Sequence, residues 1–218
     1  MVLRRLQSLL GRLYDVTLDY DVYDFLVTDR RALAGVTPDN DQRAPEEELL
    51  LAETADGAGV ALYIDPRVLE RLERADPLGA LTEGNLADYC TALEGVSHFT
   101  CVAWCAARGR PVSLLGLEMQ ADVDKYVAAV LLAGSQRGGQ LVRGLHARLF
   151  EHVRYCDGLD ATLRALYARA NAYAARFCRR LEERFLRRRE ARVTEMLEEL
   201  RRFYRLGDAG KLACIEAV

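Results

Sequence analysis

From Asn85 to Tyr204 the apolar residues recur every three or four positions with few interruptions, a spacing that only α-helices can bury on one side. Asn85 reads as the N-cap of a helix over Leu86–Arg108, which Gly109 and Pro111 stop. Ser113 is placed to cap Leu114–Ala133, closed by the loop Gly134–Gly139, and Leu141–Cys156 makes a third helix. Asp160 caps a final stretch in which Leu163, Leu166, Tyr167, Ala170, Ala174, Phe177, Leu181 and Phe185 keep the helical spacing, resumed by Val193, Met196, Leu197, Leu200 and Tyr204. Unbroken, that helix is about 45 residues and roughly 68 Å long, wider than a domain of this size. It must therefore bend near the polar run Arg187–Arg192, or project and pair with a second chain.

The first third reads differently. Met1–Tyr14 gathers Val2, Leu3, Leu6, Leu9, Leu10, Leu13 and Tyr14 within an arc of about 140°, with Arg4, Arg5 and Arg12 opposite. That suits a first helix docked on the core; a transit peptide or membrane-surface helix is the alternative. Val16, Leu18, Tyr20 and Val22 alternate with polar residues, predicting a strand within Asp15–Asp29, and Thr28–Ala44 reads as loop. Glu47–Glu53 and Gly59–Asp65 flank a glycine-rich turn and predict a β-hairpin. Asp65-Pro66 supplies an N-cap and a first-turn proline for a helix to Ala75. The expected fold is mainly α: an antiparallel helical bundle (85–218) with a long C-terminal helix, and a small N-terminal α/β element (1–80) containing the hairpin, the two forming one compact unit.

Composition narrows the class. Of 218 residues, 50% are hydrophobic and 29% charged, the balance of a globular chain rather than a disordered one. The longest apolar runs fall far short of the ~20 residues of a membrane span. Residues 1–100 carry a formal charge of −10 and residues 101–218 one of +7, so the halves attract each other or the acidic part faces a basic partner. Six cysteines without a CxxC pair, mostly on apolar helical faces, read as reduced thiols of a cytoplasmic protein. The chain has no Gly-x-Ser-x-Gly elbow, no glycine-rich phosphate loop and no His-Glu-x-x-His.

One constellation invites chemistry. On the first long helix Glu94, His98, Cys101 and Cys105 fall within about 60° of arc, on a segment apolar nearly all round from Val96 to Ala107. Such a helix is buried, and its carboxylate and imidazole must then find partners. On the next helix Glu118, Asp122 and Lys125 share a face at i, i+4, i+7, and the short connection makes the two helices antiparallel. Glu94, His98, Glu118 and Asp122 are thus the candidate ligands of a divalent metal, and Glu94 and His98 the candidate acid–base pair. The plainer reading is a buried hydrogen-bonded network in which Lys125 neutralises a carboxylate.

A second feature is the run Arg176–Arg192, with eight arginines and three glutamates. Arg176, Arg180, Arg184, Arg187 and Arg188 are candidates for binding a protein partner or a second copy, or a nucleic acid, unless glutamates one turn away absorb them. The residues therefore support two functions: a helical interaction or scaffold protein working through this arginine-rich helix, or a metal-binding protein or metal-dependent enzyme built on the Glu/His/Asp cluster.

Overall fold

The computed structural model describes residues 1–33, 45–54, 57–137, 144–153, 155, 159–187 and 192–217. The chain is mainly helical with a small sheet, in the order α1 (Val2–Tyr14), β1 (Leu26–Val27), β2 (Glu47–Thr54), β3 (Gly57–Ile64), α2 (Pro66–Arg74), α3 (Leu86–Ala106), α4 (Leu114–Gln136), α5 (Leu145–Phe150), α6 (Ala161–Leu181), α7 (Val193–Tyr204) and α8 (Asp208–Glu216). No described helix is long and apolar enough to cross a membrane.

Three caps act where the sequence places them. Asp65 accepts from the Arg67 amide at 2.8 Å, Ser113 from Gly116 at 3.0 Å, and Asp160 from Thr162 and Leu163 at 2.7 and 2.9 Å. Asn85 stands at the start of α3, but its side chain works on the preceding connection. It donates to the carbonyls of Ala75 and Ala80 and accepts from the Thr82 amide.

The amphipathic first helix docks as expected, burying Leu3, Leu6, Leu10, Leu13 and Tyr14. Its C-terminal carbonyls are met by arginines of α7 and the turn after it. Arg201 donates to Leu13 and Arg12 oxygens at 3.2 Å, and Arg205 to the Asp15 oxygen at 3.1 Å. Cations there also complement the helix dipole.

The alternating segment after α1 is not a strand. The Gln7 side chain donates to the Tyr20 oxygen at 2.7 Å and accepts from the Val22 amide at 3.0 Å. Asp21 accepts from the Tyr23 amide and opens a single 3-10 turn, Val22–Asp24. The helix surface thus satisfies backbone groups that a strand would give to a neighbour. Only Leu26 and Val27 pair, parallel to Leu62 and Tyr63 of β3. β2 and β3 form the expected antiparallel hairpin, with Glu47 opposite Ile64 and Leu49 opposite Leu62. The sheet order is β1-β3-β2.

The last long helix bends. A π-helical turn over Glu182–Leu186 ends α6, with the Arg187 amide bonding the Glu182 oxygen and the Arg192 amide the Phe185 oxygen, both at 2.9 Å. α7 then returns, and Phe177 of α6 stacks on Phe203 of α7 with centroids 4.0 Å apart. In a straight helix these two residues would be about 39 Å apart. Burying aromatic faces on the core favours the folded-back form. Of the third helix expected over Leu141–Cys156, Leu145–Phe150 is helical; Leu141 and Cys156 lie outside the described residues, as do most of the Thr28–Ala44 loop and the hairpin turn at Asp56.

At the centre lies α3, buried along most of its length through Tyr89, Leu93, Val96, Phe99 and Trp104. α4 packs against it and against α6, while the hairpin and α1 cover its other flanks.

A candidate metal centre between two helices and a hairpin

The short connection from Ala107 to Ser113 turns α4 back against α3, so the i, i+4 pair Glu94/His98 meets the i, i+4 pair Glu118/Asp122. One ligand atom from each of Glu94, His98 and Glu118 lies within 4.8 Å of the other two. His98 is buried, its side chain only 8% exposed, and Glu94 and Glu118 are half-buried.

A further carboxylate reaches the other side of the ring from the hairpin. Glu47, the first residue of β2, sets Oε1 3.5 Å from His98 Nδ1, while Glu118 Oε1 stands 3.6 Å from His98 Nε2. Both separations exceed a formed hydrogen bond, and His98 Nε2 and Glu47 Oε1 are buried polar atoms with no hydrogen-bond partner among the described residues. Gly95 makes this approach feasible: a Cβ there would stand 2.8 Å from both Glu47 Cγ and Leu62 Cδ1. Arg71 fixes the strand's entry, bonding Asp88 of α3 at 2.7–3.0 Å and Glu46 at 3.1 Å.

Asp122, the fourth residue expected in the cluster, turns instead to Lys125 and lies outside the converging set. Lys125 Nζ sits 2.8 Å from Asp122 Oδ1 and 3.0 Å from Glu94 Oε2, and the Asn171 side-chain amide of α6 lies 3.5 Å from Asp122. The sequence reading missed Glu47. Its signal is the period of two that puts it on the same strand face as Leu49, which packs on the core.

The electrostatics follow from four carboxylates around one ammonium and one imidazole. Burial works against the His98 imidazolium, but Glu47, Glu118 and Glu94 outweigh it and lift its pKa to about 9. Burial pushes Glu118 up to about 7, helped by Glu94 and Glu47 and opposed by His98 and Lys125. Burial likewise raises Glu47 and Asp122. Desolvation works against the Glu94 carboxylate as well, yet Lys125 and His98 hold it below the usual carboxylate range. Lys125 is kept charged by Glu94 and Asp122 despite its burial.

The arginines of the C-terminal run are largely engaged within the chain. Arg180 donates to the Cys214 oxygen at 2.7 Å and sits 3.7 Å from Glu199; Arg184 bonds Glu199 at 2.7 Å and Arg187 bonds Glu182 at 2.9 Å. Arg176 is exposed, and Arg188 lies outside the described residues. The cysteines Cys90, Cys101, Cys105, Cys178 and Cys214 are free thiols. A cavity of about 630 Å³ opens between α1 and residues 15–21, touching α3 at Thr100. Two residues beyond His98, Thr100 points to the opposite side of the helix, so this cavity does not lead to the cluster. No protein-family model matches the chain, and neither a curated protein nor a solved structure does.

Proposed function

We propose that this chain is a metal-binding protein that holds one divalent transition-metal ion on His98 Nε2, Glu94 and Glu118, with Glu47 behind the ring at Nδ1, where a carboxylate orients a ligating imidazole. The observation that carries this reading is the convergence of three ligand atoms within 4.8 Å in the interior, with His98 Nε2 left without a hydrogen-bond partner among the described residues. Four carboxylates around the Lys125 ammonium and the His98 ring outnumber the cationic groups, an excess that requires compensation by protons or by a metal ion. One imidazole nitrogen with carboxylate oxygens is a donor set for Mn²⁺, Fe²⁺ or Zn²⁺.

The interaction-module reading through Arg176, Arg180, Arg184, Arg187 and Arg188 has less support, because Arg180, Arg184 and Arg187 already bond groups within the chain. Chelator-stripped protein dialysed against Mn²⁺ or Zn²⁺ tests the metal reading. One ion per chain is expected, lost in His98→Ala and Glu118→Gln variants that keep their helical circular dichroism. A stripped protein that takes up no ion would overturn it.

A further inference from the structure

We infer that Lys125 is a built-in cation that fills a second ion position beside the metal centre and limits the site to one divalent ion. The inference rests on the metal-binding reading above. α3, α4 and the start of β2 bring two pairs of acids together, each around one cationic side chain. In one, His98 stands between Glu47 and Glu118 at 3.5 and 3.6 Å. In the other, Lys125 Nζ stands between Glu94 and Asp122 at 3.0 and 2.8 Å.

Glu94 belongs to both groups, its carboxylate bonded to Lys125 and also counted in the converging ligand set. Carboxylates shared between neighbouring positions are how paired-ion sites hold two metals about 3.5–4 Å apart. An ammonium has three donors and no lone pair, so Lys125 cannot ligate a metal; it can only stand in for one and repel another.

Residue choice points the same way. Of 30 basic residues only Lys125 and Lys211 are lysines. A guanidinium is a broad planar fork, whereas an ammonium is a compact point charge, the better replacement for a spherical ion between two carboxylates. Removing it leaves Glu94 and Asp122 facing each other without a counter-charge.

The test is Mn²⁺ binding to chelator-stripped wild type and Lys125→Met, counted by equilibrium dialysis and accompanied by thermal melting with and without the ion. The expected stoichiometry is one in the wild type and two in the variant. The variant should melt lower than wild type without Mn²⁺ and gain more than wild type when Mn²⁺ is added. A wild type that binds one ion beside a variant that also binds one, with the same gain, overturns the role of Lys125 and leaves the metal centre standing. A variant that stays unfolded in saturating Mn²⁺ overturns it too, because the ion then does not replace the ammonium. A wild type that binds none removes the metal centre; a variant that then acquires one ion still supports the substitution of ion for ammonium, and one that acquires none overturns both.

Discussion

The Tyr14 hydroxyl donates a hydrogen bond to the Asp124 carboxylate, joining the last residue of α1 to the interior of α4 across 110 positions of chain. Asp124 also accepts from Ser97 at 2.6 Å and Gln120 at 2.8 Å, and Gln120 accepts from Lys211 of α8 at 2.7 Å. One buried carboxylate thus gathers donors from α1, α3 and α4, with α8 one bond further out. Tyr14→Phe should cost about 1 kcal/mol, because Asp124 keeps two partners. Asp124→Ala should cost about 3 kcal/mol, because it strands several buried donors. Urea unfolding measures both, and equal costs would contradict the hub.

Gly95→Ala separates packing from helix propensity. In an unconstrained helix the change stabilises by about 1 kcal/mol. Here the new methyl meets Glu47 Cγ and Leu62 Cδ1 at 2.8 Å, so it should push β2 from α3. The expected result is a lower melting temperature and weaker ion binding than wild type, from a residue that ligates nothing. A stabilised variant of unchanged affinity would show that the hairpin does not bear on the site.

In the metal-free protein the stability contributed by the His98 cluster should fall as pH rises from about 5 to about 9, so the slope of wild type should exceed that of His98→Ala over this range. Glu118 binds its proton more tightly when folded, with a pKa near 7 against the usual 4.5, so its contribution is complete below 4.5 and gone above about 7. His98, near 9 against 6.5, contributes fully below 6.5 and is lost through 9. Glu47 is shifted in the same direction as Glu118. Glu94 has the opposite sign, but its window lies below 4.5. Ion binding displaces such protons, so affinity should strengthen with pH over the same range. Melting curves and dialysis at several pH values check both slopes.

Glu199 anchors the fold-back of α7. Its side chain, 6% exposed, bonds Arg184 at 2.7 Å and lies within 4 Å of Arg180 and Arg202. Glu199→Ala should destabilise by roughly 3 kcal/mol, as removal of one partner from a buried charge cluster does. Amide exchange should accelerate first in α7. Unchanged exchange there would mean that the ion cluster around Glu199 does not hold the return.

Much of the fold was legible because its signals are local. The caps at Asp65, Ser113 and Asp160, the stop at Gly109 and Pro111, and the largely apolar second half of α3 each specify their own stretch of chain. Antiparallel packing followed from the short connection, and with it the meeting of Glu94, His98 and Glu118. What was not legible depends on distant partners. The alternation at Val16–Val22 is that of a strand, but Gln7 on α1 bonds its backbone first. Asp122 carried the right spacing, yet Lys125 on the same helix and Asn171 on α6 claim it. Glu47 lies in another element altogether, and only the sheet's placement brings it to His98. The arginine run looked like a binding face until the bend at Glu182–Leu186 brought Glu199 against Arg184.

The most direct measurement is anomalous diffraction, above and below the metal absorption edge, from crystals grown with Zn²⁺ or Mn²⁺. One peak per chain between α3 and α4, about 2.0–2.2 Å from His98 Nε2 and from carboxylate oxygens of Glu94 and Glu118, is the expected result. Density with no anomalous peak there, and the His98 ring hydrogen-bonded to Glu47 and Glu118, would contradict the metal centre and leave a proton-balanced core network.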